Sequence, residues 1–174
     1  MEILIYVSKI TNRLFYIIEL ILKEELGISF KFTTDKEKYL SHEGPKMHYG
    51  KSPLENDNGL FLQSVNLLFE RDIADQDVKL CKYNETKAIF PVFNDNSILP
   101  FDVLAASFYI ITRYEEYLPH VSDQYNRFQP KDSILYKMDA FETPIINVWA
   151  KELGEIITSK YPDIQLKKKT FKFI

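Results

Sequence analysis

The stretch of sequence that decides the fold is ILIYVSKITNRLFYIIELILKEELGISFKF, residues 3–32. Residues 3–7 form a short continuous apolar run, which is typical of a strand buried on both faces. Thr11 or Asn12 can then cap a helix, and Gly27 supplies its end. The helix is predicted because apolar residues recur at three- and four-residue spacing: Leu14, Ile17, Ile18, Ile21, Leu22 and Leu26.

Alternating apolar and polar residues predict the next strand, at residues 28–32. Strand, helix and strand over about thirty residues indicate a right-handed βαβ unit with parallel strands. Further short strands are predicted at residues 46–49 and 60–62, and a hairpin at residues 78–83 and 87–93. We therefore expect an α/β fold with a βαβ start and a mixed sheet.

Two long helices in the C-terminal half are predicted to pack on this sheet, giving a two-layer or three-layer sandwich. The first is predicted from Pro100 or Asp102 to just before Pro119. The second, with Thr143 as its N-cap, is predicted to run to about Lys160. An apolar stripe along the second helix is typical of a face that packs against a core.

The length of 174 residues fits one domain, and 13 Phe and 11 Tyr provide enough large side chains for a core. Residues 1–165 are predicted to form a single α/β domain. The last residues, TFKFI at 170–174, alternate like the start of a strand, whereas natural termini are commonly polar. We therefore expect residues 166–174 to begin a linker or strand that leads into a further, C-terminal domain.

Charge and cysteine content restrict the partners and the compartment. A net charge of −3 argues against a nucleic-acid partner, because nucleic-acid binders usually carry a basic surface. The single cysteine, Cys81, excludes an intramolecular disulfide and suits a reducing compartment. No segment approaches the roughly 20 apolar residues of a transmembrane helix. The N-terminus lacks the basic residues of a signal peptide. We therefore expect a cytoplasmic protein without a membrane partner.

The motifs of common catalytic and cofactor sites are missing from the sequence. The link between the first strand and helix, SKITN at 8–12, has no glycine that would let the backbone approach a pyrophosphate. Neither a P-loop nor a Gly-x-Ser-x-Gly nucleophile elbow occurs. The irregular spacing of His42, His48 and His120 favours scattered surface or loop histidines over a metal site. We expect no catalytic residue, no metal ligand and no cofactor in these residues.

Adjacent carboxylates stand out in ITRYEEYLPH, residues 111–120. On a continuous helix, Glu115 would share the apolar face with Ile111 and Leu118, whereas Glu116 would lie on another side. Two carboxylates that do not face each other are a poor acid–base pair for one substrate atom. This interpretation leaves Glu115 as a carboxylate on a core face near a helix C-terminus, which needs a compensating partner.

Arg127 is the leading candidate partner of Glu115, because arginine suits bidentate pairing with a buried carboxylate. A structural charge pair that pins residues 121–128 to the helix is favoured over a ligand clamp, since structural networks also perturb charged groups. Should the region bind a ligand, the candidate binding residues are those of this motif and its partner: Arg113, Tyr114, Glu115, Glu116, Tyr117 and Arg127.

Four segments together resemble a known family: LPFDVLAASFYIITRYEEYLPH, DQYNRF, PIINVWAKELGEII and the terminal KFI. They are similar to an uncharacterised N-terminal domain found ahead of the catalytic domain in bacterial polysaccharide-deacetylase-like (carbohydrate esterase) proteins. The resemblance covers essentially all 174 residues, and its most specific part is the string PFD–AASFY–RYEEYL within residues 100–118.

The resemblance implies hydrolysis of acetyl or similar groups from carbohydrate, with a divalent metal in the C-terminal deacetylase domain. The catalytic and metal-binding residues of such proteins belong to that domain, so none is assigned here. We expect an accessory domain, inactive alone, that packs on its own deacetylase domain and positions or helps select carbohydrate substrate. The alternatives are a protein–protein docking or homodimerisation module, and a transferase or nucleotide-using enzyme, against which the missing glycines count.

Overall fold

The computed structural model describes residues 1–167, and a parallel sheet of four strands forms their centre. The strands are β1 (Glu2–Tyr6), β2 (Ser29–Thr33), β3 (Lys46–Gly50) and β4 (Leu60–Gln63). Their order across the sheet is β2-β1-β3-β4, and every neighbouring pair is parallel. The α/β class expected from the sequence is therefore confirmed.

The βαβ unit predicted at the N-terminus forms, with β1 and β2 parallel. Helix α1 (Asn12–Ile18) follows β1 and continues as a π-helical stretch through Glu19–Glu25. Thr11 is the N-cap, since its side chain accepts a hydrogen bond from the backbone N–H of Leu14. Gly27 ends the helix with φ of 73°, a left-handed conformation that costs glycine little.

One face of the sheet carries the main core. Its side chains alternate along the strands as the pleat requires, and all are buried: Ile3, Ile5, Met47, Tyr49, Leu60 and Leu62. The buried residues of α1 and of the helices in the C-terminal half belong to the same apolar cluster. This layer accounts for the burial of most large side chains in the domain.

The opposite face of the sheet is covered by a short helix, α2 (Lys36–Leu40). Tyr39 on α2 lies with its ring centroid 5.4 Å from that of Tyr6, and His48 lies 5.1 Å from Tyr6. The Nζ atom of buried Lys46 donates to the carbonyl oxygens of Tyr39 and Leu40 at 3.3 and 3.0 Å, which caps the C-terminus of α2. With helices on both faces, the domain is an α/β sandwich.

The predicted hairpin forms a sheet of its own. Strands β5 (Leu80–Tyr83) and β6 (Thr86–Ile89) pair antiparallel and are not joined to the four-stranded sheet. The parallel and antiparallel pairs are thus divided between two sheets. Tyr83 holds the hairpin against the core, since its ring centroid lies 4.9 Å from that of Phe101.

Helix α3 (Val103–Ile111) begins where the sequence predicts and ends earlier. The prediction that it continues to Pro119 is wrong, because Arg113 adopts a left-handed conformation with φ of 51° and a 3-10 turn follows at Tyr114–Tyr117. The cause is a tertiary contact: the hydroxyl of buried Tyr114 accepts from the N–H of Ala74 and donates to its carbonyl oxygen. An uninterrupted helix would direct this ring elsewhere.

The last helices are α4 (Ile134–Lys137) and α5 (Ile145–Lys160). The end of α5 at Lys160 is as predicted, but Thr143 is not its N-cap, since Pro144 holds that position without a side-chain cap bond. The apolar stripe of α5 is confirmed as core, with Trp149 and Leu153 fully buried. None of the helices within residues 1–167 has the length and apolar character needed to cross a membrane.

The described chain continues past α5 and packs on the domain. The backbone N–H of Lys167 donates to the carbonyl oxygen of Leu26 at 2.8 Å. The predicted linker or strand at residues 166–174 falls mostly on residues 168–174, which lie outside the described residues.

A fully buried carboxylate, that of Asp102, joins the sheet to α3. Its Oδ2 accepts from the hydroxyl of Tyr49 on β3 at 2.7 Å and from the N–H of Val65, just after β4, at 2.8 Å. Its Oδ1 accepts from the N–H of Ala105 at 3.0 Å and thereby caps α3. Burial raises the pKa of Asp102 to about 6, although these hydrogen bonds, together with one from the Leu104 backbone, favour the charged form.

We predict that Asp102→Ala lowers the free energy of unfolding by about 3 kcal/mol or more, because two buried donors and one partly buried donor lose their acceptor. The matched control is Asp35→Ala, which removes the exposed N-cap of α2 and should cost about 1 kcal/mol or less. Urea denaturation of the two variants measures the difference. Equal losses would show that Asp102 acts as an N-cap only.

The raised pKa of Asp102 also predicts a pH dependence. Between an ordinary value of 3.8 and about 6, the folded state binds more protons at this group than the unfolded state. The contribution of Asp102 to stability therefore falls as pH rises through this window and is constant above it. The stability of the parent protein minus that of Asp102→Asn, measured in urea from pH 4 to pH 7, should decrease and then level off. A difference that is independent of pH would contradict the assignment.

Candidate functional site

Residues 113–141 fold back over the end of α3 and enclose a cleft against the segment that leads into β5. This Glu115 cleft has a volume of about 760 Å³. Part of its lining is apolar and comes from three separate segments: Val78, Leu80, Leu118, Val121, Phe128 and Ile134. Val121 is 78% exposed and Leu80 is 45% exposed, so apolar surface remains open to a ligand.

Polar and charged groups of both signs converge on the same cleft. They come from the loop before β5, from the ITRYEEYLPH motif at residues 111–120, from the 3-10 turn at 130–132 and from α4. These groups are Asp75, Glu115, His120, Lys131, Asp132 and Lys137. The His120 ring meets that of Phe128 edge to face at 5.1 Å, and its Nδ1 lies 2.9 Å from the carbonyl oxygen of Leu118. This bond fixes the ring at the mouth of the cleft.

Glu115 lies between the Glu115 cleft and a smaller cavity of about 270 Å³ on its other side. Its Oε2 accepts from the backbone N–H of Ile134 at 2.8 Å, which holds the start of α4. Burial raises the pKa of the Glu115 carboxyl, while the bond from Ile134, Ser133 and the charge of Lys137 counteract the rise. The 3-10 turn after α3, rather than helical phase, places this side chain.

The predicted pairing of Glu115 with Arg127 is wrong. Arg127 forms an ion pair with Asp123, with 3.0 Å between its Nη2 and Oδ2, and its guanidinium lies 4.9 Å from the Tyr125 ring centroid. The Asp123 Oδ1 also accepts from the backbone N–H groups of Tyr125 and Arg127. A carboxylate four residues away inside the same turn outcompetes a distant one, because little chain entropy is lost in forming the contact.

The other predicted binding residues fall into three groups. Tyr114 is buried with its hydroxyl bound to Ala74, and Arg13 lies over its ring at 5.5 Å, so it serves the fold. Arg113 and Glu116 form an ion pair and line the small cavity rather than the Glu115 cleft. Tyr117 is 67% exposed. Of the six predicted binding residues, Glu115 alone lines the Glu115 cleft.

Tyr109, in the last turns of α3, contributes to the wall of the Glu115 cleft. Burial and the charges of Glu115 and Asp75 raise the pKa of its hydroxyl to about 12. The phenol therefore stays neutral and can donate a hydrogen bond over the physiological pH range. Because this ring packs edge to face on Phe90, its position is fixed by the core.

Several cleft residues were not identified from the sequence. Asp75, Lys131 and Lys137 lie in loops or in one short helix, and no periodic pattern connects them. The available signal was the density of polar and aromatic residues between Pro119 and Lys137, without a regular helix or strand to explain it. The enclosure depends on contacts between segments about 40 residues apart, such as Tyr114 to Ala74.

The three histidines lie in different surroundings. His48 is buried in β3, and burial lowers the pKa of its imidazole to about 4, so the ring is neutral at physiological pH. His120 is at the mouth of the Glu115 cleft, and His42 lies beside Gly44 in the loop after α2. Within residues 1–167, no three His, Cys, Asp or Glu side chains are grouped so as to hold one metal ion.

We predict that Glu115→Ala lowers the free energy of unfolding by about 1–3 kcal/mol, because it leaves the Ile134 N–H without an acceptor. Arg127→Ala should cost less than about 1 kcal/mol, since its ion pair with Asp123 is exposed. Urea denaturation of the single and double variants should give additive losses. Strong coupling between the two substitutions would contradict this prediction and would indicate that Glu115 and Arg127 interact.

Comparison with known proteins gives a family without a known activity. Residues 3–162 match the model of a family of unknown function, DUF7033. No curated protein and no solved structure matches the chain with statistical significance. The expectation of an uncharacterised domain is confirmed, but the match carries no link to polysaccharide deacetylases. Because the match covers most of the sequence, the chain belongs to the DUF7033 family of unknown function.

Proposed function

We propose that this chain is a non-catalytic domain that binds carbohydrate in the Glu115 cleft. The observation that supports it is the composition of that cleft, in which exposed apolar side chains alternate with carboxylates, amines and a neutral phenol. Ligand sites in proteins typically combine an apolar lining with a few converging polar groups. Sugars present both an apolar C–H face and a rim of hydroxyl groups, so this mixture suits them.

The individual groups match the needs of a sugar. Phe128, held edge to face by His120, offers an aromatic surface beside the cleft. The Glu115 and Asp75 carboxylates can accept hydrogen bonds from hydroxyl groups, and Lys131 and Lys137 can donate them. Charged partners form the stronger hydrogen bonds, so a few such contacts can orient a neutral ligand.

The accessory role follows from the resemblance to the N-terminal domains of deacetylase-like proteins. In this proposal, the domain packs on its own C-terminal deacetylase domain and positions or helps select the carbohydrate substrate. A divalent metal would belong to the deacetylase domain, and residues 1–167 would supply substrate contacts only.

Protein–protein docking is the second candidate, because the small cavity is lined by an exposed aromatic residue, Phe141. Phe141, which is 60% exposed, lines that cavity with Arg113 and Glu116, and Tyr136 nearby in sequence is 58% exposed. Aromatic residues and arginine are enriched at protein interfaces. This surface could hold a partner domain or a second copy of the chain.

The test is a titration of the isotopically labelled protein with N-acetylglucosamine oligomers, followed by NMR. We expect shifts at residues of the Glu115 cleft and about tenfold weaker binding for Lys131→Ala combined with His120→Ala, since two hydrogen-bonding groups are removed. The control is Lys51→Ala, an exposed lysine that does not line the cleft, which should bind normally.

Two outcomes would contradict the proposal. Absence of shifts with saccharides, together with dimerisation in sedimentation that Phe141→Ser abolishes, would favour the docking candidate. Unchanged deacetylase activity of a longer protein after removal of residues 1–165 would reject the accessory role while leaving sugar binding intact.

A further inference from the structure

A second cleft continues the Glu115 cleft along the hairpin. This hairpin cleft, of about 520 Å³, lies between β5, β6 and the turn after α4, and its lining includes Leu80, Lys82, Met138 and Ala140. Leu80 borders both clefts. On the opposite wall, Lys137 of the Glu115 cleft is followed directly in sequence by Met138 of the hairpin cleft. The two clefts therefore lie end to end between β5 and α4.

The two clefts together form a trough, and polar contacts of Lys87 join its two walls. Lys87 on β6 forms an ion pair with Asp139 at 2.6 Å, and its Nζ also lies 3.4 Å from the carbonyl oxygen of Lys137. Along the hairpin wall, the lining residues extend from Val78 to Lys82 without Lys79, which corresponds to about 13 Å at the rise of an extended chain. A ligand that filled both ends would be longer than one sugar ring.

The junction between the clefts is apolar and open. Leu80 is 45% exposed there, so a ring that crossed it would cover apolar surface rather than displace water from a charged group. Cys81 and Lys82 continue the hairpin side of the trough beyond Leu80. A linear chain of rings, in which apolar faces alternate with hydroxyl groups, matches this sequence of surfaces.

Charges of both signs line the trough in nearly equal number, with five carboxylates and four lysines. The Glu115 cleft presents Asp75, Glu115 and Asp132 against Lys131 and Lys137, and His120 adds an ionisable group. The hairpin cleft presents two further carboxylates and two further amines: Glu85, Asp139, Lys82 and Lys87. A polyanion or a polycation would meet like charges throughout, so the trough favours a neutral polar ligand.

From this geometry we infer that the trough binds a linear, neutral oligosaccharide of at least two residues, one in each cleft across Leu80. The inference rests on the proposed function and adds to it the length and the charge class of the ligand. A single sugar would occupy the Glu115 cleft alone. The hairpin cleft acts as a second subsite, which contributes to affinity only when the oligosaccharide is long enough to cross Leu80.

Isothermal titration calorimetry with β-1,4-linked N-acetylglucosamine oligomers of one to six units tests this inference. Affinity should rise at least about tenfold from the monomer to the dimer or trimer, as a second subsite is filled, and then level off. The oligomers of glucosamine, which are cationic, and of galacturonic acid, which are anionic, should bind more weakly than the neutral series at low ionic strength.

The variant that isolates the second subsite is Lys82→Ala, whose lysine lines the hairpin cleft. It should weaken binding of the trimer by about fivefold, the loss of one hydrogen bond, and leave the monomer unchanged. The matched control is Lys79→Ala, which removes a lysine three residues earlier that pairs with Asp77 on the surface. This control should bind all oligomers like the parent, and circular dichroism checks that both variants fold.

The results separate failure of the inference from failure of the proposed function. Equal affinity for the monomer and the longer oligomers, or equal effects of Lys82→Ala on both, would overturn the two-subsite trough and leave sugar binding in the Glu115 cleft. Preference for either charged series would overturn the assignment of a neutral ligand. No binding of any saccharide would reject the proposed function, and with it this inference.

Discussion

The arrangement of this domain depends on the buried carboxylate of Asp102. Its two oxygens accept hydrogen bonds from Tyr49 on β3, from Val65 just after β4, and from Ala105 in the first turn of α3. Burial of a carboxylate costs free energy unless its oxygens accept hydrogen bonds. Loss of Asp102 or of its donors would therefore leave polar groups inside the domain without a partner. The contact sets where α3 begins relative to the sheet and therefore where its other end, with Tyr109, is placed.

The early end of α3 creates the candidate site. If α3 continued as a helix to Pro119, residues 113–118 would point away from the hairpin. The left-handed Arg113 instead turns the backbone, and Tyr114 is retained by Ala74 and Arg13. A non-glycine residue in this conformation costs free energy of about 1 kcal/mol, which the tertiary contacts of the buried ring offset. Glu115 then lies between two cavities instead of on a helix face.

The structure also changes the interpretation of the charged residues in and after the motif. A hydrogen bond to the backbone, rather than an ion pair, satisfies Glu115, and the basic residues of the cleft are lysines that the motif does not contain. Lysines and carboxylates thus face a shared apolar surface in the cleft. The site is thus described by the mixture of its groups and not by any single pair of them.

The sequence by itself determined the βαβ start, the hairpin, the first residues of α3 and the apolar stripe of α5. These features arise from local periodicity and caps, such as Thr11 and Asp102, which short stretches of sequence specify. Only the tertiary structure decided the end of α3, the partner of Glu115 and the enclosure of the cleft. Each of these depends on competition between distant contacts and local ones. The distant contact of Tyr114 with Ala74 ends α3, whereas the local ion pair of Arg127 with Asp123 prevents a pair with Glu115. Residue spacing alone does not contain the outcome of that competition, because it depends on which segments the fold brings together.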